Sequence, residues 1–227
     1  MICYNVSIFG VDSMSLLNKI KNKNIRKKYG WNDIEKAFLK LYPNQTNPKH
    51  YGALIKWNLG GNDPLDGISI YDGGDYWHFV SFGLSEIYEK ESSNKDISGY
   101  GMEFTFKFKK TNFNNLESEL KNVCGIFQQL ARETFVNGEI FNPYEYIYSG
   151  QKEGIDVEQK SKITGFITIP DTKLEEINTI NGKVIFVELI GATNDELLAI
   201  TNKKLTVKKL YEKLNSDITD YERDSVI

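Results

Sequence analysis

The sequence predicts a single α/β sandwich, with a mixed, largely antiparallel sheet and flanking helices. Three observations carry that expectation. Met102, Phe104, Phe106 and Phe108 alternate with Glu103, Thr105, Lys107 and Lys109, the period-two mark of a strand with one apolar and one wet face. Leu116, Leu120, Val123, Phe127, Leu130 and Phe135 recur every three to five residues, which predicts a long amphipathic helix closed near Gly138. Aromatic residues make up 13% of the chain and suit half-buried pleated surfaces.

The other elements follow in chain order. Residues 1–12 read as a short strand, and 13–30 as a weak helix in which Leu17, Ile20 and Ile25 keep poor time. Asp33 is positioned to cap a helix carrying Ile34, Ala37, Phe38, Leu41 and Tyr42, and Pro43 ends it. After a turn cluster at 44–49, residues 51–59 read as a strand and 60–64 as a loop. Ile68 and Ile70, then Asp72-Gly73-Gly74-Asp75, then residues 76–82 make a β-hairpin, because the two glycines supply positive φ without steric cost. Residues 89–99 are polar and loop-like. Strands at 163–169 and 183–190 flank a polar connection, and a short helix starts near Asn194 and Asp195. Val207, Leu210, Tyr211 and Leu214 mark a last helix. The tail, 218–227, is polar enough to be at most an edge strand. Repeats, low-complexity linkers and clear domain breaks are absent from the sequence.

Composition excludes several classes. With 227 residues, 40% hydrophobic and 26% charged, the chain is globular and long enough to bury a core. Its longest clean apolar runs, Val184 to Val187 and Leu197 to Ile200, fall far short of the ~18 residues a membrane span needs. No basic residue precedes the apolar patch at Val6 to Val11, so no signal peptide is expected. Cys3 and Cys124 build neither a disulfide framework nor a metal knuckle, and a reducing cytoplasm is the natural setting. The two histidines, His50 and His78, lack a zinc-binding spacing, and no cofactor or metal is expected.

Charge is unevenly distributed. Residues 1–60 hold ten Lys/Arg against three Asp/Glu, most of them in a Lys/Asn-rich segment without the interleaved aromatics of a nucleic-acid binder. Residues 61–100 reverse the sign: Asp63, Asp66, Asp72, Asp75, Glu86, Glu89, Glu91 and Asp96 face only Lys90 and Lys95. The four aspartates at 63–75 lack the spacing of a calcium loop and read as turn formers. Phosphate-cradle and nucleophile-elbow motifs are absent from the sequence. His78 with Ser81 and Asp75 evokes a triad, but positions three apart on one strand face opposite ways, so His78 reads as a structural strand residue.

The same stretch resembles the suppressor of fused (SUFU) family. Leu41-Tyr42-Pro43 with Asn47-Pro48 is similar to the family's helix-ending turn, and Leu59-Gly60-Gly61-Asn62-Asp63-Pro64-Leu65-Asp66 follows it. The run from Trp77 through Tyr88 (WHFVSFGLSEIY) resembles the family's most distinctive segment, and Ser98 through Phe106 completes it. Weaker echoes reach Ile218-Thr219-Asp220. The resemblance assigns 33–227 to a single SUFU-like domain and leaves 1–32 as an N-terminal extension. It implies a non-enzymatic, protein-binding role. Bacterial members that stand alone are associated with immunity to toxins, and the Lys/Asn/Ile-rich composition suits an AT-rich bacterial genome. The expected partner is therefore a cognate protein toxin such as a basic nuclease, neutralised by direct binding. The alternative is a regulatory module that sequesters an extended peptide of another client. Nucleic acid and membrane are not expected partners. The candidate contact residues are Asp66, Asp72, Asp75, Tyr76, Glu86, Tyr88, Glu89, Glu91 and Asp96: an acidic face would steer a basic partner, and Tyr76 and Tyr88 are aromatic anchors beside it.

Overall fold

A computed structural model describes residues 30–85 and 96–227. The expected strand at 1–12 and helix at 13–30 lie almost wholly outside those residues. The described chain forms one sheet between two layers of helix. Helix α1 spans residues 30–41. After it come β1 (Lys49–Gly52), β2 (Gly67–Asp72), β3 (Tyr76–Phe82), β4 (Ile97–Lys109), α2 (Leu116–Asn137), β5 (Tyr146–Ile147) and β6 (Ile163–Pro170). The chain closes with β7 (Ile177–Thr179), β8 (Gly182–Thr193), α3 (Asn194–Thr201), α4 (Val207–Leu214) and β9 (Ile218–Thr219). The sheet order is β1-β2-β3-β4-β8-β6-β5, with β7 paired to β8 and β9 to β4. Only β4–β8 and β4–β9 are parallel; the other pairs are antiparallel, as the hairpin-rich sequence predicts.

The apolar face of the central strand β4 lies under α2. Met102, Phe104, Phe106 and Phe108 are buried there with Leu120, Val123, Phe127 and Leu130. The ring of Phe127 lies 5.8 Å from Phe104 and 6.3 Å from Phe79, within the range of favourable aromatic pairs. Asn115 caps α2 by accepting the Ser118 N–H, and Gly138 ends it at φ 74°, a conformation that only glycine adopts without strain. In the 72–75 turn only Gly74 takes the positive φ expected of both glycines, 94°; a Cβ on Gly73 would instead meet the Tyr76 ring at 2.4 Å, so glycine there lets the ring fold over the turn.

Four sequence readings need correction. Helix α1 is already helical at residue 30, the first described, so Asp33 lies inside it; Trp31 extends the apolar stripe and stacks on Phe82 at 4.1 Å. The strand expected at 51–59 is instead β1 followed by a 3-10 turn at Trp57–Leu59, because Trp57 leaves the sheet to meet Phe135 on α2, edge to face at 5.8 Å. The tail adds only the two-residue strand β9, paired on one side with β4, and its Thr219 is buried rather than at a wet rim. It lies beside Lys107 and Phe108, and the Gly191 N–H donates to Thr219 Oγ1 at 2.8 Å across a contact too close for any Cβ at residue 191.

The fourth correction is the largest. Glu103, Thr105 and Lys107 were expected on an open face, yet all three are fully buried. Helix α1 covers this side, with Ile34 and Phe38 packed on Tyr71, Val80, Phe82 and Phe186, while α3 and α4 cover Ile167, Ile169, Ile190 and Ala192.

At the start of α3, Thr193 Oγ1 accepts the Glu196 N–H, and the Glu196 carboxylate accepts the Thr193 N–H. Glu196 also takes both terminal nitrogens of Arg223, which ties the tail to this helix. Thr193→Ala should therefore cost about 1 kcal/mol, measured by urea denaturation. An unchanged midpoint would mean that Arg223 alone holds the helix start.

Candidate functional site

The candidate contact residues separate into groups. Asp72, Asp75 and Tyr76 lie together around the β2–β3 turn, where Asp72 accepts from Lys110 Nζ at 2.5 Å and the Gly74 N–H at 2.8 Å. Those two bonds, Lys110 first, hold the Asp72 carboxyl below its ordinary range. Asp66 lies at the other end of β2, six residues away, or roughly 20 Å of extended strand. It is buried, with Lys56 Nζ 3.4 Å from its carboxylate. Asp96 is exposed beside the start of β4, and its carbonyl accepts the Lys183 N–H. Glu86, Tyr88, Glu89 and Glu91 lie outside the described residues.

Beneath α1 the sheet holds a group of charged side chains that the sequence reading did not identify. Lys107 is its centre. Its ammonium donates to both oxygens of Glu188 at 2.8 and 2.7 Å, to Asp217 at 2.9 Å and to Thr172 Oγ1 at 2.9 Å, with Asp171 at 3.7 Å. Burial works against the lysine charge, but Glu188 and Asp171 outweigh it and raise the Lys107 pKa. Burial in turn pushes Glu188 up to about 8, a rise that Lys107 limits. One cation therefore serves three carboxylates.

His78 and Asp171 continue this group. His78 Nε2 lies 3.1 Å from Asp171 and Nδ1 lies 2.9 Å from Tyr42 Oη, which in turn is 3.3 Å from Tyr76 Oη. Burial holds His78 below its ordinary pKa, so the ring is neutral. The network then assigns the proton to Nε2, donated to Asp171, while Nδ1 accepts from Tyr42. Asp171 also receives Thr105 Oγ1 and the N–H groups of Lys173 and Leu174. Burial opposes its charge, but His78, Lys107 and Thr105 together hold it well below the usual carboxylate range.

This histidine–carboxylate pair has the parts of a general base, yet both side chains are completely buried and every partner is internal. Tyr42, the group where a nucleophile would stand, has its pKa raised by burial and by Tyr76. Such a phenol is a poor nucleophile. A signal for the group was present in the sequence: Glu188 interrupts the apolar run 184–190, and Lys107 sits on a strand that proved to be its neighbour.

Glu103 forms a second buried polar centre. Its carboxylate accepts from Ser81 Oγ at 2.5 Å, the Gly83 N–H at 3.1 Å, and the Ser85 N–H and Oγ at 2.9 and 2.6 Å. Burial nevertheless pushes it up to about 7. Glu103 thus pins the end of the WHFVSFGLS run to the central strand.

Comparison with known proteins places this architecture. The family model described as Suppressor of fused protein (SUFU) matches residues 61–224. The human and mouse Suppressor of fused homologs are each 29% identical over 171 residues, an alignment covering 70% of this chain and 34% of the relative. The chain therefore spans about a third of the length of these relatives. Among solved structures, a chain of the Sufu–Fu complex superposes with a TM-score of 0.74 at 27% identity, covering 86% of this chain and 91% of that one. Drosophila Suppressor of Fused gives 0.72 at 27% identity, covering 85% and 50%. A SUFU homologue from Neisseria gonorrhoeae gives 0.58 at 15% identity over 86% and 94%, a likeness of fold. With most of the chain inside the family match and the same sandwich in its structural relatives, this chain belongs to the suppressor of fused family.

Proposed function

We propose that this chain is a non-enzymatic protein-binding module. The observation that carries the reading is the state of the one histidine–carboxylate group among the described residues: His78, Asp171 and Lys107 are sealed beneath α1 and bonded to one another, so they serve the fold. Family membership supports the same reading, and one structural relative comes from a complex, Sufu–Fu.

The finer reading is that the client is a cognate toxin, such as a basic nuclease, neutralised by direct binding. The acid-rich stretch 61–100 supports it through electrostatic steering, since immunity requires fast association. Sequestration of an extended peptide from a regulatory client fits the fold equally well, and the exposed Leu54, Ile55 and Leu59 near the end of α2 supply apolar contact surface for it.

Affinity capture from the cell of origin tests the module reading. A client encoded beside this gene and toxic when expressed alone supports immunity; a regulatory protein supports sequestration. With the client in hand, neutralising Glu86, Glu89 and Glu91 together should slow association and weaken its salt dependence. Tyr88→Ala should instead speed dissociation, at a cost of about 2 kcal/mol. If the triple variant associates as fast as wild type at low salt, the acidic stretch is ordinary solvated surface.

A further inference from the structure

A cleft of about 420 Å³ lies between the first turn of α2, the loop at 156–162 and Tyr221 in the tail. Four carboxylates line it: Glu119, Asp156, Glu158 and Glu222. Glu119 accepts the Val157 N–H, Asp156 accepts the N–H groups of Lys160 and Ser161, and Glu158 takes Lys160 Nζ at 2.6 Å. Burial raises the Glu119 pKa, and the charges of Asp156 and Glu158 add to the rise. The site therefore holds more negative charge than its own lysines neutralise, because Lys162 pairs with Asp224, which does not line the cleft.

Independent of this charge is the phenol of Tyr221. The side chain is 6% exposed, and its hydroxyl has no hydrogen-bond partner among the described residues. It lies in the field of Glu119 and Asp156, two of the carboxylates of the same cleft. A buried hydroxyl without a partner is costly, and the side chain that carries this one lines the cleft. Phe113 lines the site as well, with its ring 6.3 Å from that of Tyr221.

We infer that this cleft receives an arginine side chain of the client protein. Its planar guanidinium offers five donors to separated acceptors, stacks on aromatic rings and loses less hydration than an ammonium ion. One edge donates to Glu119 and Asp156, and another N–H reaches the Tyr221 oxygen, whose own proton turns to a carboxylate. A metal ion is the poorer fit, since no group of three or more metal-ligating side chains converges among the described residues. The inference rests on the protein-binding reading and names a contact for it outside the acidic stretch 61–100.

The test titrates the isotope-labelled full chain with the capped tripeptide Gly-Arg-Gly and with its citrulline and lysine counterparts, followed by NMR. The arginine peptide should move the resonances of Glu119, Val157, Ser161 and Tyr221, with the citrulline peptide at least tenfold weaker. Glu119→Gln, which keeps an acceptor for Val157, should weaken the arginine peptide about tenfold. Tyr221→Phe should weaken it severalfold while melting no lower than wild type, because it removes an unsatisfied group. Equal binding of the citrulline or the lysine peptide overturns the guanidinium assignment, and unmoved cleft resonances overturn the site. Client capture by the wild-type chain is scored separately: a retained client with a silent cleft refutes the cleft and leaves the module reading intact. Loss of the client refutes the module reading whatever the peptides do.

Discussion

Lys107→Met should destabilise the folded chain by about 3–5 kcal/mol, because it removes the one cation shared by Glu188, Asp217 and Asp171 while leaving the carboxylates buried. Methionine matches the lysine stem in length, so the loss reports charge more than packing. The second arm of the experiment replaces Glu188 with Leu in the same chain. With both the ammonium and its bidentate partner gone, most of the loss should be recovered, since apolar pairs commonly replace buried ion pairs at little net cost. Urea denaturation of the two single variants and the double variant yields the coupling directly. If Lys107→Met unfolds at the wild-type midpoint, the buried group contributes nothing to stability, and the account of the covered face fails.

The second large effect is a pH dependence. Glu103 has its pKa raised from an ordinary 4.5 to about 7, mainly by burial. A carboxyl raised by folding binds its proton more tightly in the native state. Its contribution is thus fully present below about pH 4.5 and is lost as the pH rises through 7. The linkage amounts to about 3 kcal/mol across that window. Glu188, also raised by burial against the pull of Lys107, acts in the same direction. His78 and Asp171, both lowered, act in the opposite sense and weaken the fold only as the pH falls.

Glu103→Gln separates the first of these effects. The glutamine carbonyl can accept from Gly83 and Ser85, and its amide can donate to Ser81 Oγ. Relative to wild type, the difference in unfolding free energy between pH 5 and pH 8 should shrink by about 3 kcal/mol. An unchanged difference would place the alkaline loss on Glu188 or elsewhere.

Local pattern made much of the fold legible. The alternation in 102–109, the three-and-four spacing of 116–135 and the paired glycines at 73 and 74 each depend on neighbours along the chain, and each became the element its pattern predicts. The misread segments are those whose partners are distant. Trp57 left its strand for Phe135, and Thr219 entered the sheet because Gly191 leaves room for it. Among the candidate contacts, Asp72, Asp75 and Tyr76 meet because a tight turn joins them, while Asp66 is carried away by the length of β2.

The sequence by itself determined the sandwich, the apolar face of β4 and the family resemblance, since periodicity and turn chemistry act over a few residues. Only the tertiary structure decided that Glu103, Thr105 and Lys107 lie in the interior. A charged residue on an alternating strand reads as solvated until something covers it. Here the cover is α1, and the compensating charges lie far along the chain: Glu188 is 81 residues from Lys107, and Asp217 is 110 residues away. Burial of an ion is tolerable only where its partners converge in space, and that convergence is a property of the assembled sheet.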